Sequence, residues 1–367
     1  MSKKRVIVAM SGGVDSSVAA LLLKNQGYEV IGVTMRLWSV ERDDVPPDSK
    51  RCCSVEDVED ARRVCQTIGA PHYFMNFERE FQEHVVDYFV RSYDQGRTPH
   101  PCLACNDKIK FDFLLRRALF LDADYIATGH YARVAHNGHR YQLLKGIDQT
   151  KDQSYVLFTL SQTELEKLLL PVGEYQKSDI RKLALDAGLP VANKPDSQEI
   201  CFIPSGDYKQ FIGERLTAKP GEIVDIEGNV VGTHPGIQFF TVGQRRGLGL
   251  KTNMNHANYV VEIDSESNQV TIGSEENLMQ STLWASSVNF TIGSPIQNSM
   301  EIEAKIRYKA TESPATISPD GDWFRIDFHK PQRAITPGQP VVFYDKDELI
   351  GGGIIEVKSP VLTKVTV

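Results

Sequence analysis

The chain has 367 residues, 41% of them hydrophobic and 24% charged, and a formal net charge of −7. A chain of this length is longer than one with a single hydrophobic core typically is, which predicts two or three domains. No apolar run approaches the ~20 residues of a membrane helix, and the apolar run after the basic residues 3–5 is too short for a signal peptide. These features predict a cytoplasmic protein. The acidic balance argues against nucleic-acid binding through bulk charge, but local basic patches remain compatible with it.

Strands and helices alternate through the first half of the chain. Apolar and β-branched runs predict strands over 6–10, 30–35, 72–76 and 125–128, and helical spacing predicts helices over 17–26, 55–68, 79–93 and 111–119. This order predicts a parallel sheet with helices on both faces. Ligands bind beyond the carboxyl ends of such strands, so Ser11, Met35 and Gly129 are expected at one nucleotide pocket.

The loop after the first predicted strand is Ser11-Gly12-Gly13-Val14-Asp15-Ser16-Ser17. Its glycines allow a sharp turn, and Asp15 or Ser16 is expected to cap the following helix. A strand, a glycine turn and a helix N-terminus form an anion site, because backbone N–H groups and the positive end of the helix dipole face the ligand. The loop resembles the pyrophosphate loop of enzymes that split ATP between its α and β phosphates.

The second half of the chain changes character. Helices are predicted over 162–170, 177–187 and near 207–216, and hairpins over 222–231 and 259–272. From about residue 283, short alternating runs separated by Gly and Pro predict a small β-barrel, and on one strand Lys305, Arg307 and Lys309 are expected to share a face. We predict an α/β domain over 1–205, a central mixed α/β domain over 206–275 and a C-terminal β-barrel domain over 276–367.

Six cysteines occur, at positions 52, 53, 65, 102, 105 and 201. A stable disulfide framework is not expected in a cytosolic chain, so metal binding or redox chemistry is favoured. Cys65 lies on the apolar face of a predicted helix and is expected to be buried, whereas positions 52 and 53 are interpreted as structural. The candidates for chemistry are the pair Cys102 and Cys105, and Cys201.

An ordered set of motifs resembles the bacterial tRNA-uridine 2-sulfurtransferases, or tRNA 2-thiouridylases, over essentially the whole chain. Besides the loop, its members include Gly96-Arg97-Thr98-Pro99, Cys105-Asn106, Ala127-Thr128-Gly129-His130-Tyr131, Lys151-Asp152-Gln153-Ser154-Tyr155, Asp196-Ser197, Ile200-Cys201-Phe202-Ile203, Gly243-Gln244-Arg245-Arg246-Gly247-Leu248-Gly249 and Thr336-Pro337-Gly338-Gln339. The resemblance implies a pyrophosphate-loop ATP-binding domain of the adenine nucleotide alpha hydrolase-like fold, followed by the central domain and a barrel that assists tRNA binding.

The resemblance implies ATP-dependent 2-thiolation of the wobble uridine of tRNA. ATP adenylates the 2-oxygen of the uracil, and a persulfide on Cys201 then transfers sulfur, with release of AMP and pyrophosphate. Cys105 is the implied nucleophile and forms a disulfide with Cys201 as the cycle closes. A sulfur-carrier protein supplies the sulfur, Mg²⁺ accompanies ATP, and the oligomeric state is left open. Because sulfur transfer needs a thiolate, we expect Lys108, Lys110 and a helix start near Phe111 to lower the pKa of Cys105.

Site residues carry over from the resemblance position by position. The implied ATP contacts are Ala9, Met10, Ser11, Gly12, Gly13, Val14, Asp15, Ser16, Met35 and Gly129. The implied contacts with the target base are His100, Pro101 and Cys102. The implied tRNA contacts are His130, Lys151, Asp152, Gln153, Arg307, Tyr308 and Gln339.

One position departs from the family pattern. Members carry Asp in a D-x-x-C motif where this chain has Cys102, so that carboxylate is not available as a general acid or base. Three arrangements stay open: a persulfide relay without metal, an iron–sulfur cluster on Cys102, Cys105 and Cys201, and structural zinc on the C-x-x-C pair.

Two other functions share some of these features. An ATP-dependent amide-forming ligase would use the same loop without needing Cys105 and Cys201. An ATP-regulated RNA-binding module would use the β-rich C-terminal third and would form no AMP.

Overall fold

The computed structural model describes residues 3–38, 55–196, 200–203, 205–250 and 257–356, so the interpretation of positions 52 and 53 lies outside the described residues. The α-helices are Val14–Asn25, Val55–Thr67, Glu78–Phe81, Asp87–Asp94, Pro101–Ala104, Leu115–Phe120, Gln162–Lys167, Lys177–Asp186 and Tyr208–Gly213. Gln82–Val86 and Cys105–Leu114 are π-helical, and Ser154–Leu157, Pro171–Glu174, Ile237–Phe239 and Glu276–Leu278 are 3₁₀-helices.

The strands form three sheets. They are β1 (Arg5–Ala9), β2 (Glu29–Arg36), β3 (His72–Asn76), β4 (Tyr125–Ala127), β5 (Ala132–His136), β6 (Tyr141–Lys145), β7 (Leu168–Leu169), β8 (Gly221–Val224), β9 (Val230–His234), β10 (Tyr259–Asp264), β11 (Gln269–Gly273), β12 (Met279–Phe290), β13 (Met300–Lys305), β14 (Ser313–Asp320), β15 (Trp323–Arg333), β16 (Pro340–Asp345) and β17 (Glu348–Glu356).

The N-terminal sheet has the strand order β3-β2-β1-β4-β7, and every pairing is parallel. This confirms the predicted α/β class. The central strand carries Val6, Ile7 and Val8, at most 1% exposed, because helices cover both faces of a parallel sheet. The strand order reverses beside β1, since β2 lies on one side of it and β4 on the other. Such a switch point leaves a crevice at the carboxyl ends of the strands.

Two helices begin earlier than predicted. The first begins at Val14 with Gly13 as its N-cap and no side-chain cap, so the prediction that Asp15 or Ser16 caps it is wrong; both residues lie in the first turn. The helix predicted near Phe111 belongs to a continuous helical segment that begins at Pro101. Proline favours the first helical position, since its missing N–H has no partner there. Cys65 is fully buried as predicted, and burial raises its pKa to about 11.

The C-terminal strands form a barrel, as predicted. In the described part of the chain, each strand pairs with the next in the order β12, β15, β14, β13, β16, β17. Pairing of β12 with β17 then closes the ring. Strands β8 to β11, which lie between the first domain and the barrel in the chain, form a four-stranded sheet of order β10-β11-β8-β9. Both predicted hairpins are present in it.

Residues 305–309 do not form the predicted strand face. β13 ends at Lys305, and the backbone then turns, with Ala310 N donating to Arg307 O at 3.0 Å. The Arg307 guanidinium donates to Ala334 O at 2.5 Å. The prediction that Lys305, Arg307 and Lys309 share one face of a strand is therefore wrong.

A hairpin from the first domain extends the barrel sheet. β5 and β6 pair with each other, and β6 pairs with β17 through Leu143 and Leu144. A second connection is the bidentate ion pair of Arg97 with Glu356, at 2.7 and 2.8 Å. The N-terminal domain and the barrel therefore share backbone contacts between β6 and β17 and a side-chain contact at Arg97.

Candidate active site

The loop after β1 is shaped by close packing at Gly12. This residue has φ +71°, and a Cβ built on it would lie 2.7 Å from the Cα of Asp57. Lys194 Nζ donates to Gly12 O at 3.1 Å and to Asp57 Oδ1 at 2.7 Å. The hydroxyls of Ser16 and Ser17 donate to Gly13 O at 3.2 and 2.8 Å. The loop is thus held tightly at the N-terminus of a 12-residue helix, which is the geometry of an anion site.

We expect Gly12→Ala to destabilise the protein much more than Gly138→Ala. Both glycines have positive φ, but nothing lies within 4 Å of a Cβ at Gly138. The left-handed backbone alone costs about 1–2 kcal/mol, whereas the overlap with Asp57 raises the loss for Gly12→Ala to about 2–4 kcal/mol. Urea-induced unfolding of the two variants measures the difference. Equal destabilisation would show that the close approach to Asp57 is unimportant.

A cavity of about 340 Å³ lies at the carboxyl ends of β1, β2 and β4. The predicted site residues that line it are Ala9, Met10, Ser11, Asp15, Ser16, Met35, Pro101, Cys102, Cys105, Gly129, His130, Gln153 and Cys201. It therefore brings together the glycine loop, the end of β4 and all three candidate cysteines. Gly12 and Gly13 connect Ser11 to the helix that begins at Val14, and His100 directly precedes Pro101; these four residues are not among those that line the cavity.

The three cysteines reach the cavity from two segments. Cys102 is exposed, while Cys105 and Cys201 are half-buried. Cys105 is the fifth residue of the helical segment that begins at Pro101, so the expected effect of a helix start near Phe111 on its pKa is ruled out, because the dipole acts within the first turn. Lys110 lines the same cavity, whereas Lys108 pairs with Asp107 at 3.0 Å.

A charged network lies behind the loop. Lys177 Nζ donates to Asp15 Oδ1 and Oδ2 at 2.7 and 2.8 Å and pairs with Asp196 Oδ1 at 2.9 Å. The Tyr131 hydroxyl also donates to Asp15, at 2.7 Å. Burial raises the pKa of Asp196, but hydrogen bonds and charge from Lys177 and Lys151 outweigh burial and lower it to about 2. The network therefore holds Asp15 as an oriented carboxylate at the edge of the cavity.

Burial favours the neutral form of two histidines near the cavity. Burial lowers the pKa of His130 well below its usual range, and the charge of Lys110 lowers it further; Nδ1 of the ring is hydrogen-bonded to the Thr128 hydroxyl at 2.7 Å. Burial also lowers the pKa of His100, whose Nδ1 has no hydrogen-bond partner among the described residues. Uncharged rings of this kind suit contact with a nucleobase better than contact with phosphate.

The remaining residues predicted to contact tRNA fall into two places. Lys151 Nζ donates to Asp196 at 3.0 Å, and the buried Asp152 carboxylate accepts from Gly146 N at 3.0 Å and Ser154 Oγ at 2.8 Å. These bonds orient the segment 151–153 beside the cavity. Arg307 and Gln339 instead line a separate cleft, and Tyr308 packs against Tyr155. Contact of these residues with tRNA stays a prediction.

Sequence reasoning missed Lys177, Lys194 and Tyr131. One signal marked Lys177: it is the first residue of its helix, where a cation opposes the helix dipole. Tyr131 belongs to the motif of residues 127–131, but no local pattern indicates its contact with Asp15. The contacts of these three residues with Gly12 and Asp15 of the loop span more than 100 positions of the chain, which local patterns do not reveal.

The cysteines and Asp15 differ in how well they fit the predicted metals. The described residues contain no group of three or more His, Cys, Asp or Glu that fits a metal ion, so Cys102, Cys105 and Cys201 do not form a cluster site in this arrangement. Mg²⁺ bound with ATP needs only one or two carboxylates besides phosphate oxygens, and Asp15 meets that need.

Among the described helices, none has the length and apolarity required to span a membrane.

Comparisons with known proteins agree with this architecture. Residues 4–205 match the family described as tRNA methyl transferase HUP domain, residues 209–274 the tRNA methyl transferase PRC-barrel domain, and residues 280–355 the Aminomethyltransferase beta-barrel domain. Fold and site thus define a HUP-domain protein that carries a PRC-barrel domain and a C-terminal β-barrel.

Curated relatives narrow this class to one family. The tRNA-specific 2-thiouridylase MnmA of Carboxydothermus hydrogenoformans is 50% identical over 361 residues, covering 97% of this chain and 98% of the relative. That of Pelotomaculum thermopropionicum is 49% identical over 360 residues, with coverage of 97% and 98%. The MnmA 2 protein of Caldanaerobacter subterraneus is 51% identical over 360 residues, with coverage of 96% and 98%. The chain belongs to the tRNA-specific 2-thiouridylase family.

Proposed function

We propose that this protein catalyses the ATP-dependent 2-thiolation of the wobble uridine of tRNA in the cytoplasm. One observation carries the proposal beyond family membership: a single cavity is lined by the glycine loop and by Cys105 and Cys201. An ATP-activated oxygen and a sulfur-bearing thiol would meet in that space. A ligase that forms amides has no need for two cysteines beside its nucleotide loop.

The loop and the end of β4 form the ATP subsite. Backbone N–H groups from Gly12 to Ser16 face the phosphates, while Met35 and Gly129 contact the adenine. Gly129 has no room for a side chain, because a Cβ there would lie 2.6 Å from Ser16 N. Mg²⁺ bound by ATP and Asp15 would neutralise phosphate charge. The helix dipole stabilises the negative charge of the departing pyrophosphate.

The target uracil would enter between the loop and residues 100–102. Its 2-oxygen attacks the α-phosphorus of ATP, the α–β phosphoanhydride bond breaks, and pyrophosphate leaves. AMP is then bonded to the former carbonyl oxygen, which makes that oxygen a good leaving group. The ring of His100, whose uncharged form burial favours, would contact the base, because a flipped nucleotide is held by stacking and edge contacts.

Sulfur transfer would proceed through the two cysteines. A sulfur-carrier protein leaves Cys201 as a persulfide, whose terminal sulfur attacks C2 of the adenylated uracil and displaces AMP. The Cys105 thiolate then attacks the Sγ of Cys201 and breaks the S–S bond, which releases 2-thiouridine and leaves a Cys105–Cys201 disulfide. A thiol reductant restores both cysteines.

We expect purified protein, unmodified tRNA, ATP and a persulfide donor to yield 2-thiouridine and AMP in equal amounts. Liquid chromatography with mass spectrometry of digested tRNA measures the nucleoside, and the same run quantifies AMP. A control lacking the sulfur donor should form adenylate without thiolation. Binding of tRNA with no AMP formed would indicate an RNA-binding module, and AMP formed on a substrate other than tRNA would indicate a ligase.

A further inference from the structure

A second cleft of about 590 Å³ lies where the three parts of the molecule meet. Thr98 comes from the N-terminal domain, Thr241 and Gln244 from the central domain, and Thr336 and Gln339 from the barrel. Thr98 Oγ1 donates to Thr241 Oγ1 at 3.3 Å, and Gln339 Nε2 donates to Thr98 O at 3.0 Å. The walls are therefore tied to one another, and the cleft is a feature of the assembled chain.

The cleft is strongly basic. Lys209, Arg246, Arg307 and Arg333 line it, and among the described lining residues none is acidic. Arg333 pairs with Glu275 at 3.0 Å, whereas no carboxylate of the described residues is within ion-pair distance of the other three cations. Burial lowers the pKa of Arg307, and the charge of Arg333 lowers it further. Like charges held together in this way favour an anion between them.

Gly243 opens the space between two of these arginines. It has φ +88°, and a Cβ built on it would lie 2.9 Å from the Cβ of Ala334 and 3.9 Å from both Arg307 Nη2 and Arg333 Nη1. Its N–H donates to Val260 O at 2.7 Å, which holds the loop 241–246 against the central sheet. Glycine is needed here because the backbone is left-handed and a Cβ would overlap the Cβ of Ala334, while both guanidinium groups lie at van der Waals distance.

The cleft is close to the active-site cavity along the chain. Thr98 lines the cleft and Pro101 lines the cavity, and three residues span at most ~11 Å. A nucleotide whose base occupies the cavity would therefore place a neighbouring backbone phosphate near the cleft. Arginine forks and threonine hydroxyls are the groups that bind phosphate oxygens.

We propose that this cleft binds a backbone phosphate next to the target nucleotide, through Arg246, Arg333 and Lys209. The inference rests on the proposed function, because it takes the ligand to be tRNA with its target base in the cavity. It assigns a role to the motif of residues 243–249, which the reaction itself does not use. Arg307, already implied as a tRNA contact, forms one wall of the same site.

The test compares Arg246→Met with Arg245→Met, a matched control at an exposed position outside the cleft lining. We expect Arg246→Met to weaken tRNA binding by about ten-fold or more, as for loss of a charged hydrogen bond. The plot of log affinity against log salt concentration should have a slope smaller in magnitude by about 0.7–1 than that of the unmodified protein. Arg245→Met should change affinity less than about two-fold. Circular dichroism checks that both variants fold, and Lys209→Met provides a second variant with the same expected loss.

A phosphate scan identifies the ligand directly. Single methylphosphonate linkages, which remove one negative charge, are placed in turn at each anticodon-loop position of the tRNA. One linkage beside the wobble uridine should weaken binding to the unmodified protein but weaken it no further in Arg246→Met. If every linkage has the same effect in both proteins, or Arg246→Met binds like Arg245→Met, the inference is wrong. If the unmodified protein forms no 2-thiouridine from intact tRNA, the proposed function itself has failed.

Discussion

Cys201→Ser should abolish 2-thiouridine formation, with a loss of more than ~10³-fold, because a serine hydroxyl cannot carry a persulfide. Cys201 lines the cavity that contains the glycine loop, so the substitution changes one atom beside the reacting centre. ATP binding, measured by isothermal titration calorimetry, should stay within about two-fold of that of the unmodified protein. Mass spectrometry of the modified tRNA gives the thiolation rate.

The substitutions Cys105→Ser and Cys102→Ala distinguish the persulfide relay from an iron–sulfur cluster. In the relay, Cys105→Ser blocks release of thiolated product, whereas Cys102→Ala retains measurable activity because Cys102 does not hold the transferred sulfur. A cluster on all three cysteines would make Cys102→Ala almost inactive and would give bound iron and visible absorption after anaerobic purification. Full thiolation by Cys201→Ser would contradict both arrangements and with them the proposed sulfur transfer.

The α/β class, the barrel and the glycine loop were predictable because each depends on local patterns. A β-branched run followed by Ser11-Gly12-Gly13 has few structural solutions, and the structure gives the helix N-terminus that these residues imply. Alternation of apolar and polar residues with a period of two likewise predicts strands in the last third of the chain. The helix starting at Pro101 was missed even though proline favours that position, since the apolar spacing becomes regular only ten residues later.

The hairpin formed by β5 and β6 was also missed, although Asn137-Gly138 between alternating runs is a strong turn signal. Its position on the barrel sheet follows from pairing with β17, about 200 residues away, and no local pattern predicts such a partner. The active-site cavity likewise depends on contacts between distant segments that no local pattern predicts. The family resemblance named Cys105 and Cys201, but the cavity that joins them to Asp15 depends on how separate segments pack.

The network around Lys177 is the clearest case of a site feature that only the structure reveals, and its loss should have a large effect. The Lys177 side chain is 11% exposed and pairs with both Asp15 and Asp196. In Lys177→Met, Asp196 keeps its ion pairs with Lys151 and Arg181, whereas Asp15 loses its cation. Because Asp15 is 31% exposed, we expect a cost of about 2–4 kcal/mol, below that of a fully buried pair. We expect the Tm to fall by roughly 10 °C and AMP formation at 25 °C to fall about ten-fold or more as Asp15 loses its orientation.

Lys182→Met is the matched control for this substitution, because Lys182 lies on the same helix, Lys177–Asp186, and is exposed. Its Tm should change by less than about 2 °C, as for a typical surface substitution. Adding Asp15→Asn to Lys177→Met removes the carboxylate charge that has lost its cation and should recover part of the lost Tm, since the effects of substitutions within one ion-pair network are not additive. If Lys177→Met melts like Lys182→Met, or the double variant is less stable than Lys177→Met alone, then Lys177 does not neutralise these carboxylates, and the loop keeps its geometry through Lys194 and the backbone alone.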